Sequence, residues 1–452
     1  MSLPVQFQRV LGGLLVCAAA VSLSAAPAVA QVGGAFFGGG AVGGVSVDAD
    51  GVVEAPSVEQ QRELDRVRAR VEADVPADLE AFTELRAVSL KKLQAAIADH
   101  QARGVELPDS VRFLAGLQRV QYVFVYPEQQ DIVLAGPAEG WRLNEYGEVV
   151  GLTTGLPVVR LEDLVVALQT RSDSRMQPIS CSIDPTAEGM RRYQSISRDL
   201  GRVNNRDRQL RMIEEAVGPQ TITVTGVDQG TRFARTLVAA DFRMKRLAMG
   251  FEPAPFAGMP SYMEMLSSKR GGAESATPRW WLAPSYEPLA RDADGLSWEL
   301  RGQGIKCLTE TDHFNAQGQR ERSVAAGPLA KRWADTFTER FDDLAAHDSA
   351  FGQLRNVVDL AVVAALLEKE QLIELAGLEL STLVGVETAA YPAPRTVATT
   401  ANFVRQGRNT LVSASGGVQV LPWVVADSTE VSSTVAESRP AGLTSASGWW
   451  AE

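Results

Sequence analysis

Eight residues of this chain have side chains and spacings that could do chemistry. Arg232, Arg235, Arg243 and Arg246 recur along a helical segment from Thr231 to Met249, beside an apolar stripe of Phe233, Leu237, Ala240, Met244 and Leu247. Guanidiniums in a row fork to carboxylates or phosphates, so the stripe would suit a ligand such as an anionic envelope polymer. Trp281 follows in a strand pattern, where an outward indole would stack on a sugar face or a partner. Glu310, Asp312 and His313 form the best local acid/base cluster, just after a strand, where loops commonly present catalytic groups.

Each of these has a plainer reading, and the plainer one is preferred. The arginines pair with the chain's own acids or stand in solvent. Trp280 shares a side with Leu282 and faces the core, which sends Trp281 to the other side, where a second element covers it. The Glu310 to His313 cluster is a polar loop rim. No catalytic residue is assigned.

Other chemistries lack their spacing. His100, His313 and His347 are isolated, so neither a metal ligand set nor a metal enzyme is expected. A Gly-x-Ser-x-Gly elbow is absent, and Ser89-Leu90-Lys91-Lys92 matches Ser-x-x-Lys without its Lys-Thr-Gly companion. Asp48-Ala49-Asp50-Gly51 and Asp292-Ala293-Asp294-Gly295 resemble calcium-loop fragments but lack the outer ligands, so they read as turns. Gly38, Gly40 and Gly43 match a dinucleotide fingerprint without its flanking strand and helix, and no cofactor is expected.

The address of the chain is clearer than its chemistry. Residues 1–30 carry Arg9, an apolar run and a closing Ala28-Val29-Ala30, the pattern of a secretory signal cleaved before Gln31. The run from Val10 to Leu23 is shorter than the roughly 20 apolar residues of a membrane span. A lipid anchor on Cys17 is disfavoured, because Val16 stands where a small residue is needed. The mature chain is thus expected outside the cytoplasm, periplasmic or extracellular, with no transmembrane segment; Val357 to Leu367 reads as a buried soluble helix.

Of 452 residues, 44 are Lys or Arg and 55 Asp or Glu. Loss of Arg9 leaves a net charge of −12. Such a surface repels phosphate, so nucleic acid is not an expected partner. Cys181 and Cys307 share strand faces with isoleucines and are expected to be buried. An exported location permits a bridge between them, worth about 4 to 5 kcal/mol for so long a loop. Two separate thiols are the preferred reading.

Around these residues the chain divides into a Gly-rich flexible leader over 31–57, a helical and β-meander lobe over 58–218, an α+β lobe with a helix pair over 219–425, and a loose tail over 426–452. A charged helix is expected from Glu59 to Arg70 and an amphipathic one from Pro76 to Gly104, on the spacing of Leu79, Phe82, Leu85, Val88, Leu93 and Ile97. Strands are expected over Val120 to Tyr126, Asp131 to Ala135, Ile179 to Ile183, Thr221 to Val227 and Arg279 to Ala283. A hairpin through Gly302-Gln303-Gly304 joins two more, Leu296 to Arg301 and Ile305 to Thr309. Blocks of strands and helices with many hairpins give the α+β class, with antiparallel sheets packed against helices in two lobes.

Several segments carry a resemblance: Asp131 to Trp141, Cys181-Ser182-Ile183-Asp184-Pro185-Thr186, Ala239 to Gly250, Trp280-Trp281-Leu282-Ala283-Pro284, Trp298 to Gly302 and Phe351 to Asn356. Together they resemble a family of exported planctomycete proteins catalogued only as a domain of unknown function, over Gln118 to Val420. The resemblance implies export and supplies no catalytic residues. The expected function is therefore a non-enzymatic protein that binds or scaffolds an envelope polymer or protein, with Arg232, Arg235, Arg243, Arg246 and Trp281 as binding residues. The alternatives are an exported carboxylate-dependent hydrolase using Glu310, Asp312 and His313, and a carbohydrate-binding module.

Overall fold

The computed structural model describes residues 45–48, 50–54, 75–144, 147–200, 202–268, 277–312, 315, 317, 319, 324–399, 402–406, 408–412, 414–440 and 448–451. The signal segment, the charged helix over Glu59 to Arg70 and His313 lie outside the described residues. The fold is α+β, with two large mixed sheets and helices packed among them.

Alternating apolar and polar residues build the larger sheet. Its nine strands run in the order β1 (Ser46–Val47), β2 (Val52–Glu54), β15 (Thr396–Val397), β9 (Gln220–Thr225), β8 (Ile179–Asp184), β18 (Ser415–Val420), β10 (Pro278–Ser285), β13 (Gly304–Thr311) and β14 (Val324–Ala325). Pairing is antiparallel except between β2 and β15 and between β10 and β18. In β8 and β9 burial alternates residue by residue, so one face of each packs inward and the other looks out.

The smaller sheet orders seven strands as β19 (Thr429–Val431), β11 (Leu289–Arg291), β12 (Ser297–Glu299), β4 (Tyr122–Tyr126), β5 (Asp131–Ala138), β3 (Thr83–Ser89) and β20 (Trp450–Ala451). Two further pairs stand apart, β6 (Trp141–Leu143) with β7 (Val149–Gly151) and β16 (Asn402–Gln406) with β17 (Arg408–Val412).

The helix over Ser349–Lys369 is buried from Ala350 to Leu367. It is long and apolar enough to cross a membrane, yet its apolar window is wholly buried against other elements of this fold. It packs on the helices Leu161–Gln169, Arg232–Ala248, Phe341–His347 and Pro422–Asp427. Among the described residues the main apolar cluster runs from Val45 to Ala426. The β8–β9 ladder spans Gly218–Pro219, the expected seam between lobes.

Three expectations are corrected. The helix from Pro76 is a strand, β3, followed by a helix that starts at Leu90. Ser89 ends the strand and caps the helix, its hydroxyl accepting from the Lys92 N–H at 3.0 Å. Leu85 and Ala87 pack with Phe124, Tyr126, Val133 and Ala135 on one side while Val88 enters the main core on the other, so period two prevails over the helical spacing. Second, Gly302 and Gly304 do not turn a hairpin: β12 pairs with β11 and β4, and β13 with β10 and β14. With φ of 101° and 92°, the two glycines carry the chain from one sheet to the other. Third, parts of the expected leader and tail are sheet, since β1 and β2 extend the nine-stranded sheet while β19 and β20 edge the smaller one.

Candidate functional site

The outward face of the nine-stranded sheet is polar, and its side chains stand in rows across the strands. One row runs Thr223, Ser182, Gly417, Trp281, Leu308. The next places Thr225, Ser180 and Gln419 on β9, β8 and β18. Adjacent strands are about 4.8 Å apart, which spaces the hydroxyls regularly. Ser180 and Thr225 hydrogen-bond to each other at 2.8 Å. Thr221, Thr223, Gln419 and Leu308 are exposed, and Ser180, Ser182 and Trp281 are half-buried.

Trp281 occupies the centre of the first row because Gly417 leaves room for it. A Cβ on Gly417 would fall 2.8 Å from ring atom Cζ3 of Trp281 and 1.9 Å from the Cys181 carbonyl oxygen. The ring is held at two further points. Its Nε1–H donates to Glu310 Oε1 at 3.2 Å, and the Arg279 guanidinium sits 4.1 Å from its centroid, a cation–π distance.

Arg279 is the hub of this end of the sheet. It is 3% exposed, and one row brings Ser415, Arg279 and Glu310 together on β18, β10 and β13. Its Nη1 donates to Asp184 at 3.0 Å and Asp312 at 3.3 Å, and its Nε lies 3.3 Å from Glu310. Ser415 Oγ donates to Asp312, whose side chain is fully buried. Three carboxylates thus converge on one guanidinium, which offsets their mutual repulsion and fixes the plane against which Trp281 lies.

On the core side, the Arg232–Ala248 helix contributes a second pair. Lys245 Nζ bonds Asp241 at 2.9 Å and the Ile183 carbonyl at 3.0 Å. Burial pushes the Asp241 carboxyl up to about 6, against the pull of Lys245. Burial, with help from Asp241, also raises the Cys181 thiol well above its ordinary range.

The four arginines of the same helix do not form an outward stripe. Arg232 pairs with Asp163 and lies 3.8 Å from Glu162; Arg235 donates to the Val47 carbonyl at 3.2 Å and stacks over Tyr391. Arg243 bonds Asp348 at 2.7 Å and also Glu252, which Arg246 shares. The helix is packed on nearly every side, so the guanidiniums of Arg232, Arg243 and Arg246 meet the protein's own acids.

The structure therefore brings Trp281, Glu310 and Asp312 together and leaves Arg232, Arg235, Arg243 and Arg246 elsewhere. Arg279, Asp184, Ser415 and Gly417 were missed by sequence reasoning. The usable signal was Arg279 two residues before Trp281, hence on the same strand face.

Ser89 is a helix cap, and Asp48 and Asp292 accept backbone N–H bonds within their own turns, from Asp50 and Val52 and from Leu296. Among the described residues no group of His, Cys, Asp and Glu could hold a metal ion. Cys181 and Cys307 are free and buried. They lie in one row, Cys181, Val418, Leu282, Cys307, three strand intervals or roughly 14 Å apart, too far to bridge.

Residues 181–262 match the family model described as Protein of unknown function (DUF1598). That span begins in β8 and contains β9 and the Arg232–Ala248 helix. The resemblance to a family catalogued as a domain of unknown function thus holds over this part of the chain. No curated protein and no solved structure matches.

Proposed function

We propose that this chain is an exported, non-enzymatic binding protein that holds a neutral envelope polysaccharide on the outward face of its nine-stranded sheet. The observation that carries this reading is the half-buried Trp281 ring, clamped by Arg279 and Glu310 and seated beside rows of Ser and Thr hydroxyls. A fixed indole offers an apolar plate to a sugar ring, and hydroxyls spaced across strands match sugar hydroxyls. Glu310 and Asp312 are engaged by Arg279, which supports a positioning role over proton transfer. Export rests on the leading signal pattern.

The test is affinity electrophoresis through gels containing isolated envelope polysaccharide. The wild-type protein is retarded, and Trp281→Ala loses at least tenfold in affinity. Equal retardation of the two proteins overturns the reading. Release of reducing ends by the wild-type protein and not by Glu310→Gln would replace it with a hydrolase. Export is checked by mass spectrometry of the purified native protein, whose first residue should be Gln31.

A further inference from the structure

A second site lies on the opposite side of the same sheet. A cavity of about 730 Å³ opens beside the Tyr262–Ser268 helix, within the usual size range of small-molecule sites. Trp333 lines it and packs against Trp280 at 4.8 Å, so it is on the core side, away from Trp281. Its walls include Met249, Met259, Met263 and Phe256. Three unbranched, polarizable thioethers adapt to irregular apolar shapes.

The charged side chains that line this cavity are of one sign, and the cations behind its wall are already paired, Arg243 and Arg246 with Glu252, and Arg340, which stacks over the Phe256 ring, with Asp343. Two carboxylates, Glu252 and Glu264, line it, and no Lys or Arg is among its described lining residues. Glu252 is engaged by Arg243 and Arg246. Glu264 is exposed and makes no ion pair with a Lys or Arg among the described residues. Its Oε2 accepts the Ser261 N–H at 2.7 Å while Ser261 Oγ accepts the Glu264 N–H at 3.1 Å, a reciprocal cap that fixes the carboxylate at the cavity wall.

We propose that this cavity binds a small organic cation, an ammonium carried on an apolar body, with the body among the methionines and the ammonium against Glu264. The charge complementarity sets the sign of the ligand, and the thioether walls set its apolar character.

The test is calorimetric titration of the full chain with 4-phenylbutylammonium and with its neutral counterpart 4-phenylbutanol. The ammonium binds at least tenfold tighter, and the preference shrinks with added salt. Glu264→Gln keeps an oxygen for the cap and removes the charge, so it abolishes the preference while thermal stability is retained. Met263→Trp fills the cavity and abolishes binding of both, with circular dichroism confirming the fold. Equal affinity for the two compounds, no binding of the ammonium, or an unchanged preference in Glu264→Gln overturns the proposal. Trp281→Ala leaves this binding intact, which separates the outcome from that of the sheet-face site.

Discussion

The guanidinium of Arg279 lies 4.1 Å from the centroid of the Trp281 ring while it also engages Asp184, Glu310 and the fully buried Asp312. One side chain therefore does two jobs, neutralising an acidic knot and fixing an aromatic plate. Removing it leaves Asp312 buried without its cation. Arg279→Ala should destabilise the protein by about 3 to 5 kcal/mol, with Arg279→Lys intermediate because an ammonium keeps the charge and loses the flat fork. Urea denaturation measures this, and a loss below about 1 kcal/mol would contradict the hub.

Gly417 makes the space that the indole fills. Gly417→Val places branched carbons where the Cys181 carbonyl and the Trp281 ring already stand. Overpacking of this kind costs about 1 to 3 kcal/mol, and the ring must turn away. Near-ultraviolet circular dichroism should show a changed tryptophan band together with a lower denaturation midpoint. An unaltered spectrum would mean that the ring does not depend on this glycine.

Asp241 has a pH signature with a definite sign. Its ordinary value is 3.8 and burial moves it to about 6 in the folded chain, facing Lys245, Asp184, Arg279 and the Cys181 thiol. Between about pH 4 and 6 the folded state holds a proton that the unfolded state has released. This group's contribution to stability is therefore largest near pH 4, falls as pH rises, and levels off above about 6. Denaturation curves across that range should show a steeper fall in the wild-type protein than in Asp241→Asn.

The arginines of the Arg232–Ala248 helix should differ by burial. Arg232 and Asp163 are both nearly inaccessible, so Arg232→Met strands a buried carboxylate and costs about 3 to 5 kcal/mol. Arg246 and Glu252 keep more than a quarter of their side chains in solvent, so Arg246→Met costs about 1 kcal/mol or less. Thermal denaturation of the two variants tests the ranking, and equal losses would refute it.

Cys181 and Cys307 should remain thiols under oxidising conditions. Peptide mapping by mass spectrometry without reductant should recover each in its own alkylated peptide. A cross-linked pair would require the two ends of a four-strand row to meet.

Much of the local architecture is legible in the chain. Ile179 to Ile183 alternates and does bury its isoleucines and Cys181; a helix does begin at Thr231; Trp280 and Trp281 do take opposite sides. These rest on contacts within a few residues, which periodicity reports directly. The segment from Leu79 to Val88 failed because its apolar residues fit a helical period as well as a strand's, and only packing against Phe124 and Val133 on one side and the main core on the other chose between them. The glycines at 302 and 304 mark where the chain changes course, yet whether their flanks pair with each other is not a local property.

Sequence alone determined the acidic balance, the α+β class and the inward or outward sense of individual strand residues. Tertiary structure decided that Asp184, Arg279, Glu310 and Ser415 meet, and that Arg232, Arg243 and Arg246 turn to the protein's own acids. The physical reason is range. Hydrogen bonding and side-chain period act between near neighbours, while β18 pairs with β8 and with β10 across more than a hundred residues of chain, where only the burial of the whole core selects one pairing over another.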